Sequence, residues 1–417
     1  MRLPITLALL LAALPLHAEN WPGWRGPRLD GTSLERELPT KWSATENILW
    51  KTELPGSGHA SPIVWGDRIF TVAALAESED RQLLCLDRQN GALLWQTTVL
   101  QAPREQVHRL NTHASSTPAT DGERVFTAFL DVAQAVVAAH DFAGKERWLK
   151  RVGPFASKHG FCSSPILFKD KVIVNCDHDG DGYLVALART DGRELWRIAR
   201  PNKTRSYCTP IIRHAAGRTQ MVLSGSKCIA SYDPETGKQI WIVDGPTDQF
   251  VASPVYSEKT GLFYITGGFP DHHIMAIRPD GSGNVTNTHV VWHHHNAAGV
   301  SYVPSPIIEG DWFLVTDDRG VAHAFDAKNG DIVWSEKFGR SHASIVSAAG
   351  LLYFMNDAGV CRVVKPAEKF ATVATNDLGE PSSASPALSN GQIFLRTDKA
   401  LYCIGQQKKT TAAATTR

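Results

Sequence analysis

The chain has 417 residues, with 43 basic against 42 acidic side chains, 43% hydrophobic and 20% charged. That balance offers no field to gather nucleic acid or an anionic membrane surface, and it is ordinary for a packed globular body. Length alone suggests two or three domains, a prior that an internal repeat overrides.

Arg2 precedes an apolar run from Leu3 to Leu16, and Leu16-His17-Ala18 ends on a small residue before Glu19. Residues 1–18 read as a secretory signal, because the run is too short to span a bilayer and lacks a basic stop-transfer flank. Export to the periplasm or the medium follows. No cysteine follows the cut, so no lipid anchor is expected there.

From residue 19 to 405 one unit of roughly 40–50 residues recurs. Its first strand opens at a Ser/Thr-Pro step: Ser61-Pro62, Thr117-Pro118, Ser164-Pro165, Thr209-Pro210, Ser253-Pro254, Ser305-Pro306 and Ser385-Pro386. The unit near Ser344 keeps the serine without the proline. Proline is tolerated at the first residue of a strand. A second apolar strand follows each step, from Arg68 to Val72 in the first unit and from Gln392 to Arg396 in the last. A third strand ends in a glycine turn, as in Asp233-Pro234-Glu235-Thr236-Gly237, where glycine takes the left-handed position. A fourth strand carries a tryptophan: Trp95, Trp148, Trp196, Trp241, Trp292 and Trp334. The Ser344 unit has none, and its fourth strand is expected over 371–375.

Eight first strands are present, but the fourth strands are out of step. Ile48-Leu49-Trp50-Lys51-Thr52 is a fourth strand with no unit before it, and the last unit, 385–404, has three strands. Ring closure reconciles the two: the N-terminal strand completes the C-terminal unit and removes an open sheet edge. The expected fold is all-β, an eight-bladed β-propeller of four-stranded antiparallel blades. A linear solenoid would leave both ends unexplained. Trp50, Trp95, Trp148, Trp196, Trp241, Trp292 and Trp334 are expected to be structural, each wedged between neighbouring sheets. The tail over 406–417, rich in Lys, Thr and Ala, is expected to be disordered.

The Ala-x-Asp-x-x-Thr-Gly-x-x-x-Trp phrase resembles the tryptophan-docking motif of quinoprotein-type eight-bladed propellers, the pyrroloquinoline-quinone-like repeat superfamily. Trp21-Pro22-Gly23-Trp24-Arg25-Gly26-Pro27 with Asp30-Gly31, and Trp50 to His59, resemble exported propellers of this group in Planctomycetes-like bacteria. The resemblance covers nearly the whole chain after residue 18 and implies the fold, not a reaction. Dehydrogenases of this fold hold the quinone with calcium beneath adjacent half-cystines, and this chain has no Cys-Cys dipeptide. A related propeller is the lipoprotein scaffold of the outer-membrane β-barrel assembly machinery, which implies a scaffold role.

The seven cysteines contain no Cys-x-x-Cys pair, so zinc and thioredoxin-like readings fail. Cys162 with Cys176, and Cys208 with Cys228, flank hairpin turns; disulfides and buried thiols remain equal alternatives. Asp177-His178-Asp179-Gly180-Asp181-Gly182 has the alternating carboxylates of a calcium loop, but position twelve is Ala188 rather than a glutamate. It reads as a solvated turn. The runs Asp271-His272-His273 and His293-His294-His295 alternate faces, so neither run by itself converges on an ion. No metal site is expected.

His59, His113, His159 and His342 each precede a first strand by a few residues, with Arg205, Tyr207 and Tyr302 at corresponding places. In a propeller these positions gather at one mouth of the axial channel, so the seven form the expected ligand-binding funnel. The expected function is an exported, monomeric, non-catalytic scaffold that presents a surface to a protein, peptide or saccharide. No cofactor is expected. The alternative is a quinone-dependent dehydrogenase using pyrroloquinoline quinone with calcium.

Overall fold

The computed structural model describes residues 19–296 and 299–406. The expected signal over 1–18 and the expected disordered tail, apart from Gln406, lie outside the described residues. Among the described residues eight sheets are present, each built on four antiparallel strands and one of them extended by a fifth, parallel strand, so the chain is an eight-bladed β-propeller. The strand content follows from burial. Second and third strands are sandwiched between neighbouring blades and are apolar on both faces: Lys171–Cys176, Tyr183–Ala188 and Leu262–Gly267 are buried at every residue. Outer strands touch a neighbour on one face only, so Val290–His295 alternates between exposed and buried positions.

The seam lies where the orphan strand predicts. Ile48–Glu53 runs antiparallel to Ala400–Ile404, with Trp50 opposite Cys403 and Lys51 opposite Tyr402. The strand order of this blade is Ala387–Ser389, Gln392–Arg396, Ala400–Ile404, then Ile48–Glu53. The unit near Ser344 is an ordinary blade whose outer strand, Ala371–Asp377, lacks the tryptophan.

The repeated tryptophans tie each blade to the next. The indole N–H of Trp50, Trp95, Trp148, Trp196, Trp292 and Trp334 donates to a carbonyl of the following blade: Arg88, Phe142, Arg189, Pro234, Ala327 and Ala367, at 2.9–3.2 Å. Five of these rings, all but Trp334, pack against the next blade's turn glycine. A Cβ at Gly91 would stand 2.5 Å from the Trp50 ring, and one at Gly192 2.6 Å from Trp148. The glycine is thus required twice, for its positive φ and for the ring. Trp241 is the exception. Its N–H donates within its own blade, to Gln220 Oε1 at 2.7 Å. The next blade has a long connection there, and Gly283–Asn284 from it adds a parallel strand beside Gln239–Asp244.

Candidate functional site: a cup on a closed channel

The innermost strands line the channel, and residues just before them are linked around it at seven of the eight steps from blade to blade, the step from Thr209 to Ser253 excepted. Backbone N–H groups donate to the hydroxyl one blade on: Ser61 to Thr117, Thr117 to Ser164, Ser164 to Thr209, Ser253 to Ser305, Ser305 to Ser344, Ser344 to Ser385, and Ser385 back to Ser61. The distances are 2.9–3.1 Å. These N–H groups are buried and face the channel, where no strand can pair with them; the hydroxyl supplies the partner. Ser253 Oγ also takes the Trp24 indole N–H, at 3.4 Å.

Trp24 belongs to a plug. Residues 19–35 cross the channel beneath the ring and bond to the innermost strands of seven blades. Trp21 pairs with Val64, and Pro22 O accepts from Thr120 N–H. Arg25, fully buried, donates to the carbonyls of Asp30, Pro306 and Ile345 at 2.5, 2.6 and 3.3 Å. Its guanidinium falls to about 10 through burial. Asp30 takes Arg213 at 2.5 Å, Gly31 and Ser33 pair with Ser347, and Glu19 O accepts from Ser389 Oγ. A chain segment with this many carbonyl and carboxylate anchors closes one end of the channel. The other end is left as a cup of ≈ 540 Å³ with Trp24 among its lining residues.

Of the seven expected funnel residues, His59, His159, Arg205, Tyr207, Tyr302 and His342 line this cup. His113 does not. Its Nε2 sits 2.8 Å from Glu105 O and 3.8 Å from Glu105 Oε2, turned into the loop between the first two blades. That loop supplies His108 and Asn111 to the cup instead. His108 meets His159 edge-on at 5.1 Å between ring centres, and His159 stacks on Tyr207 at 5.9 Å. Further lining comes from Gln249, Phe269, Asp318 and Arg340.

Burial holds His59 and His159 below the ordinary imidazole value; for His159, Arg205 and His108 push the same way. Burial raises Tyr207, lifts Tyr302 to about 12, and lifts the Cys162 thiol to about 12. Asp318 is raised by burial, against hydrogen bonds from the Val303 and Tyr302 backbones. Arg205 Nε reaches both Asp179 oxygens, at 2.8 and 2.9 Å. Arg340 is exposed at the cup. His342 is clamped by Asp357, which accepts from its backbone N–H at 2.8 Å and its Nδ1 at 2.7 Å.

A family model described as outer membrane protein assembly factor BamB matches residues 33–117, 79–257 and 282–403. The chain belongs to that family. No curated protein matches it in sequence. BamB from Moraxella catarrhalis is similar in structure, with TM-score 0.60 and 12% identity over 86% of this chain and 97% of that one. Quinohemoprotein alcohol dehydrogenase from Comamonas testosteroni gives TM-score 0.67 and 11% identity over 93% and 81%. The computationally designed Ika8 protein gives 0.59 and 11% over 86% and 100%. At these identities the likeness is one of fold.

The structure bears on three sequence readings. The Asp177–Gly182 turn is not simply solvated. Asp177 is fully buried, 2.8 Å from Arg200, whose charge it supports; Asp179 holds Arg205 and Asp181 holds Lys203. Each carboxylate has its own cation, so the three do not share an ion. The seven cysteines are all free, and all but Cys162 are buried, so the buried-thiol alternative describes them. The two histidine runs lie side by side: His273 is opposite His295 and Met275 is opposite His293. Among the described residues no helix is long and apolar enough to cross a membrane.

Proposed function

We propose that the protein is an exported binding scaffold of the BamB family whose cup receives a peptide segment of a partner protein. The observation that carries this is the plug: it turns an axial channel into a rigid, one-ended cup with Trp24 in its lining. Blind concavities with a few placed polar groups are the usual form of a binding site. Phe269, 54% exposed, and the exposed Arg340 both line the cup. Arginine, with tryptophan and tyrosine, is enriched at energetically important protein contacts, and Trp24, Tyr207, Tyr302 and Arg340 all line the cup. The family's description as an assembly factor is consistent with a protein partner.

The quinone reading fits the residues less well. Calcium takes 6–8 oxygen ligands, mostly carboxylates. Asp318 is the one carboxylate lining the cup, and burial pushes it toward its neutral form. Cys162 is the one cysteine there and is free. No oxidation step is assigned to these groups.

The test is a photo-crosslinking residue placed at Arg340 in cells, with Leu94 on an outer strand as control. The reading expects a discrete protein adduct from position 340 that position 94 does not give. Absence of any adduct at 340, together with stoichiometric uptake of pyrroloquinoline quinone and calcium by the purified protein, would reverse the assignment.

A further inference from the structure

The two histidine runs, neither of which converges on an ion by itself, meet across one strand pair. His273 begins the third strand of blade five, and His293 and His295 lie on the outer strand beside it. Alternation puts Asp271 and His273 on one face and His293 and His295 on the same face, with His294 turned to the other, against Trp292. His273 and His295 are directly opposite, their rings parallel within 6° and 4.6 Å apart. Donor atoms of Asp271, His273 and His295 all lie within 4.8 Å of one another.

The state of His273 separates this cluster from a chance run of surface histidines. The residue is 4% exposed, and its Nε2 is buried with no hydrogen-bond partner. Its other nitrogen, Nδ1, is 2.9 Å from His293 Nε2. A buried ring nitrogen without a partner is unfavourable and asks for an acceptor or donor that the protein does not supply. Metal-bound histidines have this arrangement: one nitrogen faces the ion and the other N–H is held by a neighbour that fixes the tautomer.

We propose that Asp271, His273 and His295 bind one divalent transition-metal ion of the zinc class, with His293 orienting His273. Two imidazoles and one carboxylate suit zinc and its neighbours, whereas calcium and magnesium require oxygen-rich sets. Metal–ligand bonds of about 2.0–2.2 Å would draw the donor atoms together by on the order of 1 Å. Asp271 and His295 are exposed and can make that movement by side-chain rotation, while buried His273 stays fixed. Three protein ligands leave at least one position for water or a group from a ligand. The turn that carries Asp271 also carries Phe269 into the cup wall, so a bound ion would stiffen one wall of the site.

The experiment is calorimetric titration of the untagged protein with zinc chloride, repeated with cobalt(II) to read coordination from its visible absorption. One ion per chain is expected, with a tetrahedral or five-coordinate cobalt spectrum and a zinc-dependent rise in Tm. Asp271→Asn and His295→Ala should each weaken binding by roughly 10-fold or more, as loss of even supporting groups does. His272→Ala and His294→Ala should leave the affinity unchanged. Asp271, His272 and His295 are exposed and His294 is half-buried, so these variants fold. Absence of saturable zinc binding overturns the proposal, as does a His294→Ala loss equal to that of His295→Ala, the signature of unspecific chelation by the run.

Discussion

Replacing Gly192 by alanine tests whether the tryptophan of one blade dictates the glycine of the next. Gly192 has φ +70°, and a Cβ there would stand 2.6 Å from Trp148 Cε3 and 2.8 Å from Cδ2. Left-handed backbone costs a non-glycine residue roughly 1–2 kcal/mol. The clash adds to this, because Trp148 is 6% exposed and its N–H is committed to Arg189 O at 2.9 Å. Displacing the ring forfeits part of its packing, whose complete loss in Trp148→Ala costs about 3–5 kcal/mol. Gly192→Ala should therefore cost about 2–4 kcal/mol in the native background. In the Trp148→Ala background it should cost the backbone strain and a remaining contact with Lys150 Cγ at 2.9 Å, which that flexible side chain can relieve, giving a coupling of about 1–2 kcal/mol in a double-mutant cycle. Gly217 is the control: φ is +74° with nothing within 4 Å, so Gly217→Ala should cost about 1–2 kcal/mol whatever stands at 148. Urea unfolding followed by far-ultraviolet circular dichroism reads all four species without relying on tryptophan. Equal costs for Gly192→Ala with and without Trp148 would show that the ring does not require the glycine.

Three further outcomes follow from the same contacts. His140 is 1% exposed, its Nδ1 has no partner, and burial lowers its pKa to about 4 from 6.5. The unfolded chain protonates first as pH falls, so stability is complete above pH 6.5 and declines toward pH 4. At pH 5 the loss is about 2 kcal/mol, and His140→Leu should abolish that part of the difference in Tm between pH 7 and pH 5. Ser164→Ala removes the acceptor of the Thr117 N–H and should cost about 1–3 kcal/mol in urea unfolding, whereas Ser164→Thr should cost much less. Trp50→Ala should destabilise by about 3–5 kcal/mol, like any other docking tryptophan; a near-zero change would mean that the N-terminal strand adds little to ring closure.

Several features were legible before folding because they are local. Ser344 keeps its hydroxyl where the proline is lost, which marks the hydroxyl as the constant element of the step; the ring of bonds between blades explains it. That meaning was not available locally, since each N–H and its acceptor are 39 to 56 residues apart, or 324 at the seam. His113 shows the reverse failure. It precedes a first strand as its counterparts do, at an offset of its own, but the loop before it is long enough to fold back and bury it on Glu105. His108 and Arg340 carry no positional signal, and the chain path alone brings them to the cup.

Periodicity, the orphan strand at Trp50 and the three-stranded last unit were sufficient for blade number and closure, because strand pairing repeats a short-range pattern that counting can follow. The cup, its plug and the Asp271–His273–His295 cluster depended on tertiary structure. Each is assembled from residues that neighbour one another only after eight sheets have been arranged about an axis, and one-dimensional order holds no record of which side chains that arrangement makes adjacent.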